Sequence, residues 1–201
     1  MKKLHKSDLY CCSVFDEERN IDFNGSLWVS PLGNVLIDPV QMEDYDKKHL
    51  ESLGGASHII ITNSDHIRDT ESISLLTGAK CWGPLAEKEK FPFECDGWLI
   101  DGDQPIKGVD VFSLEGSKTE GELAILIEKN TLVTGDLIRS HEGGRLCMLP
   151  NEKLQNRRLA VESIKRMASI KDIQAVIPGD GWPVFNYGHE ALLELSQHIS
   201  L

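Results

Sequence analysis

The feature that most narrows the folds open to this chain is an apolar, β-branched run that stops abruptly at a polar cluster. It reads His58-Ile59-Ile60-Ile61-Thr62, then Asn63-Ser64-Asp65-His66-Ile67-Arg68-Asp69. Three isoleucines and a threonine in succession predict a strand buried on both faces. Asn, Ser and Asp then offer local hydrogen bonds that compete with a sheet ladder, so a turn or helix cap is expected. In the plain reading, Ser64 or Asp65 caps a helix over 67–76. The alternative is chemical, because open sheets place reactive side chains at the ends of buried strands.

Composition limits the partners. Net charge is −11, from 21 basic against 32 acidic residues. Nucleic acid is therefore not expected as a partner, since phosphate binding is driven by Lys and Arg. The one basic cluster, Lys153 to Arg158 with Lys165 and Arg166, falls on a predicted helix and reads as a solvated face. No apolar run reaches the length of a membrane span, and no apolar segment follows the charged start, so neither an anchor nor a secretory signal is expected. Five cysteines without C-x-x-C spacing predict reduced thiols and a cytoplasmic protein. A length of 201 residues suits one domain, 1–201, with a full core. A homodimer is the ordinary expectation for such a domain.

Along the chain, residues 26–30 and 35–38 read as strands joined by a turn at Pro31-Leu32-Gly33-Asn34. Residues 42–53 read as a helix stopped by Gly54. After the strand at 58–62 and its helix comes a short strand at 79–82, and Pro84 then opens a charged helix. The middle is all strand: 98–100, 109–112, 123–128 and 131–134. Residues 151–168 are amphipathic, 173–177 are a last buried strand, and 189–199 a terminal helix. Two packed sheets covered by helices accommodate this order.

One device recurs: an apolar strand, then a short polar or Gly-rich turn carrying charge. It appears at Asn63-Ser64-Asp65-His66, at 116–122 around Lys118, at Thr134-Gly135-Asp136 and at Pro178-Gly179-Asp180-Gly181. Glycine beside the charge permits positive φ or close approach of another group.

In this order the four sites resemble the metallo-β-lactamase fold superfamily of hydrolases. Ile37-Asp38-Pro39-Val40 stands for its opening Ile-Asp-x-Gly, and Thr62 with 63–68 for Thr followed by His-x-His-x-Asp-His. Residues 117–122 resemble its Gly-His-Thr-Pro-Gly-Ser segment, Gly135-Asp136 its Gly-Asp, and Gly179-Asp180 its late Gly-His. The resemblance spans nearly the whole chain. It implies an α+β fold, a four-layer αββα sandwich of two mixed β-sheets flanked by helices. It also implies a hydrolase whose site holds two metals, usually zinc.

The ligands are mostly altered. Lys118 stands for the third histidine, Asp180 for the last, and only Asp136 matches its bridging aspartate. Counted straight from Thr62, the first motif's ligand positions become Asn63, Asp65, Ile67 and Arg68. Slid by two residues, Asp65-His66 becomes the Asp-His pair, and Asp65, His66, Asp136 and Asp180 form the second metal site while Lys118 occupies the first. The slid register is preferred on chemistry, because its ligand set stays coherent across three loops. Three carboxylates in one pocket need counter-charge. One divalent zinc, manganese or iron ion would supply it, or Lys118 and Arg68 would, leaving the pocket metal-free.

Two functions follow from the resemblance. As a mononuclear metal hydrolase acting on an unidentified small molecule of ester, thioester or lactone type, the chain would use Asp65 to orient the metal-bound water. Lys118 and Asn63 would stabilise the developing oxyanion. As an inactive homologue kept as a binding module, it would pair Lys118 with Asp136 and Asp180. Trp182, two residues after Asp180, is expected to reach the pocket, and His141 to lie on a surface loop.

Overall fold

The structure is a computed structural model and describes residues 1–199. Seven strands form the first sheet in chain order: β1 (Lys2–Lys3), β2 (Leu9–Asp16), β3 (Ile21–Trp28), β4 (Val35–Ile37), β5 (His58–Ile60), β6 (Lys80–Pro84) and β7 (Gly97–Leu99). β1 to β4 pair antiparallel and β4 to β7 parallel. The first two parallel crossovers run through α1 (Asp44–Ser52) and α2 (Thr70–Thr77), and the third, from β6 to β7, through a 3₁₀ turn at Leu85–Lys90. The second sheet uses β8 (Val109–Ser113), β9 (Leu123–Ile127) and β10 (Thr131–Thr134). A separate hairpin, β11 (Ile138–Glu142) and β12 (Arg145–Met148), comes next. The chain continues through α3 (Arg157–Ala168) to β13 (Ala175–Pro178), which pairs parallel with β10, and ends its described part with α4 (Gly188–His198). The second sheet therefore runs β13-β10-β9-β8.

Three apolar layers hold these parts together, and strand alternation assigns side chains to them. Ile37, Ile60, Ile125, Val133 and Ile177 meet between the two sheets. Their chain neighbours Leu36, Ile59 and Ile61 turn the other way, against Leu50 of α1 and Ile73 of α2. On the far side Leu126, Leu132 and Val176 pack on Ile164 and Met167 of α3 and Leu192 of α4. The result is helices, sheet, sheet, helices. The run at 58–62 is buried on both faces as its composition predicts, each isoleucine contributing about 1.5–3 kcal/mol of burial.

Two expectations need correction. β6 continues through Pro84 because Gly83 and Pro84 pair with Trp98 and Leu99, and only a 3₁₀ turn, Leu85–Lys90, follows. Helix α3 begins at Arg157, where the Asn156 side chain accepts from Leu159 N–H at 3.2 Å. The stretch before it is a 3₁₀ turn, Asn151–Lys153, so Lys153 lies off the helix. The sequence reading also passed over β2 and the β11–β12 hairpin. No helix among the described residues is long and apolar enough to cross a membrane.

Candidate functional site

Parallel pairing fixes where the polar turns go. Asp38 follows β4, Thr62 to His66 follow β5, Asp136 follows β10 and Asp180 follows β13. These strand ends meet at one rim, where the two sheets are stitched by backbone hydrogen bonds. Asn24 N–H donates to Gly179 C=O at 2.8 Å, and Leu123 N–H to Thr62 C=O at 2.8 Å. Glycine is needed here for close approach: a Cβ on Gly179 would stand 2.6 Å from His66 Cε1, and one on Gly135 2.9 Å from Asn63 Nδ2.

Asp38 is the hub. Its carboxylate accepts from Thr62 N–H at 2.7 Å, from the Thr62 hydroxyl at 2.6 Å, and from His66 Nδ1 at 2.7 Å. That bond leaves His66 Nε2 on the side of Asp136, 3.7 Å from Oδ1. Burial works against the imidazolium, but the charge of Asp38, its hydrogen bond and the nearby Asp136 carboxylate outweigh it. The His66 pKa rises to about 10. Asp136 is buried too, which alone would raise its pKa; His66, Lys118 and Arg139 together hold it well below the usual carboxylate range. Asn63 Nδ2 donates to Asp136 Oδ2 at 3.2 Å.

Asp180 is held by two arginines. Arg139 Nη2 lies 2.6 Å from its Oδ2 and Arg68 Nη2 3.7 Å from its Oδ1. Arg68 is tied down by Nη1 donating to Asn24 C=O at 2.7 Å. Lys118 pairs with Asp65, both exposed. The expected pairing of Lys118 with Asp136 and Asp180 is thus replaced: Asp65 takes the ammonium, while His66 and the two arginines neutralise the deeper acids. Arg68 supplies counter-charge to Asp180.

Two buried glutamates, passed over by the sequence reading, support the loops. Glu87 accepts from Ser64 N–H at 2.8 Å and from Gly121 N–H at 3.0 Å, joining the loops that carry Asp65 and Lys118. Its place in a charged stretch gave no sign of this. Glu122 accepts from Leu137 N–H at 2.8 Å and bonds Ser117. Burial, then the charge of Asp136, pushes its pKa up to about 8.

Asp65, His66, Asp136 and Asp180 open onto one cavity of about 420 Å³. Lys118, Arg68, Arg139, Arg19 and Lys153 share its lining. Asn63 is fully buried beneath and is not among the lining residues. Trp182 does not line this cavity; it is 60% exposed, and Phe23, Ile21 and Val14 supply the apolar wall instead. His141 is exposed, at a strand position in β11.

Comparison with known proteins fits this architecture. A family model described as "Metallo-beta-lactamase superfamily" matches residues 1–199. The chain belongs to the metallo-β-lactamase superfamily. Among solved structures, DIM-1 metallo-β-lactamase aligns with a TM-score of 0.76 at 15% identity, over 99% of this chain and 97% of that one. A metallo-β-lactamase from Erythrobacter litoralis, with β-mercaptoethanol in its active site, gives 0.77 at 13% identity, covering 98% and 96%. One from Pontibacter korlensis gives 0.75 at 16%, covering 98% of both. Among curated proteins nothing matches. The αββα expectation holds, and at the family level the chain reads as a metallo-hydrolase.

Members of the superfamily usually bind divalent metals such as zinc. Here His66, Asp136 and Asp180 form a group that could hold one ion, with one donor atom from each within 4.8 Å of the others. Asp180 Oδ1 is buried without a hydrogen-bond partner, and His66 donates Nδ1–H to a carboxylate as metal-bound histidines do. The donor set therefore fits one ion. Two do not fit, because Lys118 places a cation among the remaining positions and takes Asp65 for itself.

Proposed function

We propose that this chain is a metallo-β-lactamase-fold protein whose own cations stand in for the metals, and that it serves as a binding module for a small molecule. The observation that carries the reading is the pairing pattern. Counted straight from Thr62 on the family's motif, Asp65 and Lys118 are two positions of the first metal site, and Arg68 and Asp180 two of the second. At each site one ligand position has become a cation and another an anion, and the two pair with each other. Arg139 adds a second guanidinium to Asp180. This pattern favours the straight register over the slid one.

A second reading rests on a separate observation, the His66, Asp136 and Asp180 group with its unpartnered Asp180 oxygen. In that case one zinc, manganese or iron ion would sit on those three residues and make water nucleophilic near neutral pH. Asp65 would remain with Lys118, beside the ion but not on it.

Elemental analysis of protein purified without chelator, paired with thermal melts with and without manganese or zinc, separates the two. The binding-module reading expects metal far below one per chain and an unchanged midpoint. Stoichiometric metal with a raised midpoint would replace it with the mononuclear hydrolase.

A further inference from the structure

In a chain of net charge −11, the cavity is a positive island. Its lining holds five basic side chains against three carboxylates, an excess of two before His66 is counted. The carboxylates are already spoken for: Asp65 by Lys118, Asp180 by Arg139 and Arg68, and Asp136 by His66. What remains is cationic. Lys153 is exposed and has no ion pair among the described residues. Arg19 is 68% exposed, with Asp16 at 4.0 Å as its ion pair and its guanidinium over the Phe23 ring, 5.8 Å from the centroid. Arg139, by contrast, is buried, so positive charge runs from the mouth to the inner end. Low-dielectric walls focus such a field on an incoming anion.

Apart from Gln41, the rest of the lining is apolar: Val14, Ile21, Phe23, Val40 and Leu149. A volume of about 420 Å³ accepts a small organic molecule, not a macromolecule. Inorganic anions would satisfy the charge but leave this wall wet, and neutral apolar molecules would leave the charge unanswered.

We propose that the cavity binds a small organic oxyanion, with its carboxylate or phosphate group drawn by Lys118, Lys153, Arg19 and Arg139 and its apolar body laid against Phe23, Ile21 and Val14. This rests on the reading that protein cations, not metals, occupy the site. The carboxylate and the phosphate ester share the recognising chemistry, and the experiment tells them apart.

The test is calorimetric titration of the as-purified chain with phenylacetate, phenyl phosphate, inorganic phosphate and phenethylamine, at low and high salt. At least one of the two aromatic anions is expected to bind, and the tighter of them identifies the group. Inorganic phosphate should bind about tenfold more weakly for want of the body. Phenethylamine should not bind, and affinity for the anion should fall as salt rises. Lys153→Glu and Arg19→Glu, both at exposed positions, should each weaken the anion about five- to tenfold while leaving the melting midpoint in place.

The proposal is overturned if neither aromatic anion binds at millimolar concentration, or if phenethylamine binds as well as they do. Inorganic phosphate matching the aromatic anions would remove the apolar wall from recognition, and unchanged affinity in both charge-reversal variants would remove the cations. Metal content of the same preparation is read separately. Stoichiometric metal overturns the earlier reading, whereas absent anion binding in metal-poor protein overturns this one alone.

Discussion

Arg139 holds Asp180 through a charge-assisted contact of 2.6 Å, and both side chains are buried. Burying two charges is expensive, and their attraction repays it only where geometry is good and remaining polar atoms are answered. Here one acceptor, Asp180 Oδ1, and one donor, Arg139 Nε, lack hydrogen-bond partners among the described residues. A pair so placed adds little net stability, yet losing either partner leaves a buried charge exposed to no solvent.

Arg139→Gln should therefore lower stability by about 3 kcal/mol, the lower end of the cost of breaking a buried pair, because Arg68 still faces Asp180. Chemical denaturation measures it. The same variant frees Asp180 Oδ2, so added manganese should raise its melting midpoint more than it raises the parent's. An equal response in both proteins would mean that the guanidinium does not guard the site.

The Lys118–Asp65 pair sits at the opposite extreme. Both side chains are more than two-fifths exposed, and solvent-exposed ion pairs are worth about 0–1 kcal/mol. Lys118→Gln should leave denaturant stability within that margin while lowering affinity for any anion in the cavity. A large loss of stability would show that the lysine is structural.

The division between what the sequence discloses and what it hides follows from these energetics. β5 was legible because burial on two faces demands an unbroken apolar run, and Ile59 to Ile61 supply it. Asp136 and Asp180 were legible because each follows an apolar strand beside a glycine that must admit a neighbour. Charge pairing was not legible. Asp65, Asp136 and Asp180 look alike in sequence, and only parallel strand order decides which meets Lys118 and which meets an arginine. Lys153 read as part of a solvated helix face, since nothing local signals that α3 starts four residues later at Arg157. Glu87 was hidden for the same reason: its partners, Ser64 N–H and Gly121 N–H, are backbone groups of distant loops.

Glu87→Gln makes that hidden clamp testable. The amide keeps the shape but offers a single acceptor oxygen, and its NH₂ must face one of two N–H donors. The loss should be about 1.5–3 kcal/mol, the range for hydrogen bonds to a charged group. Hydrogen exchange should quicken at Ser64 and Gly121 ahead of β5 and β10. Uniform quickening would mean global destabilisation without a local role.

Glu122 gives the chain a pH dependence whose sign can be worked out. The unfolded residue ionises near its ordinary value of 4.5, whereas burial keeps the folded one protonated to about 8. Between those values unfolding releases a proton, so stability falls as pH rises, by up to about 1.4 kcal/mol per pH unit. His66 runs the other way in origin: its raised pKa adds stability that is complete below 6.5 and lost as pH climbs toward about 10. The depressed pKa of Asp136 adds stability that is already complete above its ordinary 3.8. From about pH 5 to about pH 6, then, neither neighbour accounts for a slope. Burial lowers the pKa values of His5, His58 and His141 from 6.5, so these add stability as pH rises. The Glu122 contribution is therefore read as the difference between the parent and Glu122→Gln. Across that interval the stability of the parent should fall relative to that of Glu122→Gln, which keeps a neutral side chain at every pH. A parent that stays level with Glu122→Gln, or rises against it, would show that the buried glutamate is already ionised, held by Ser117 and Leu137 N–H against the charge of Asp136.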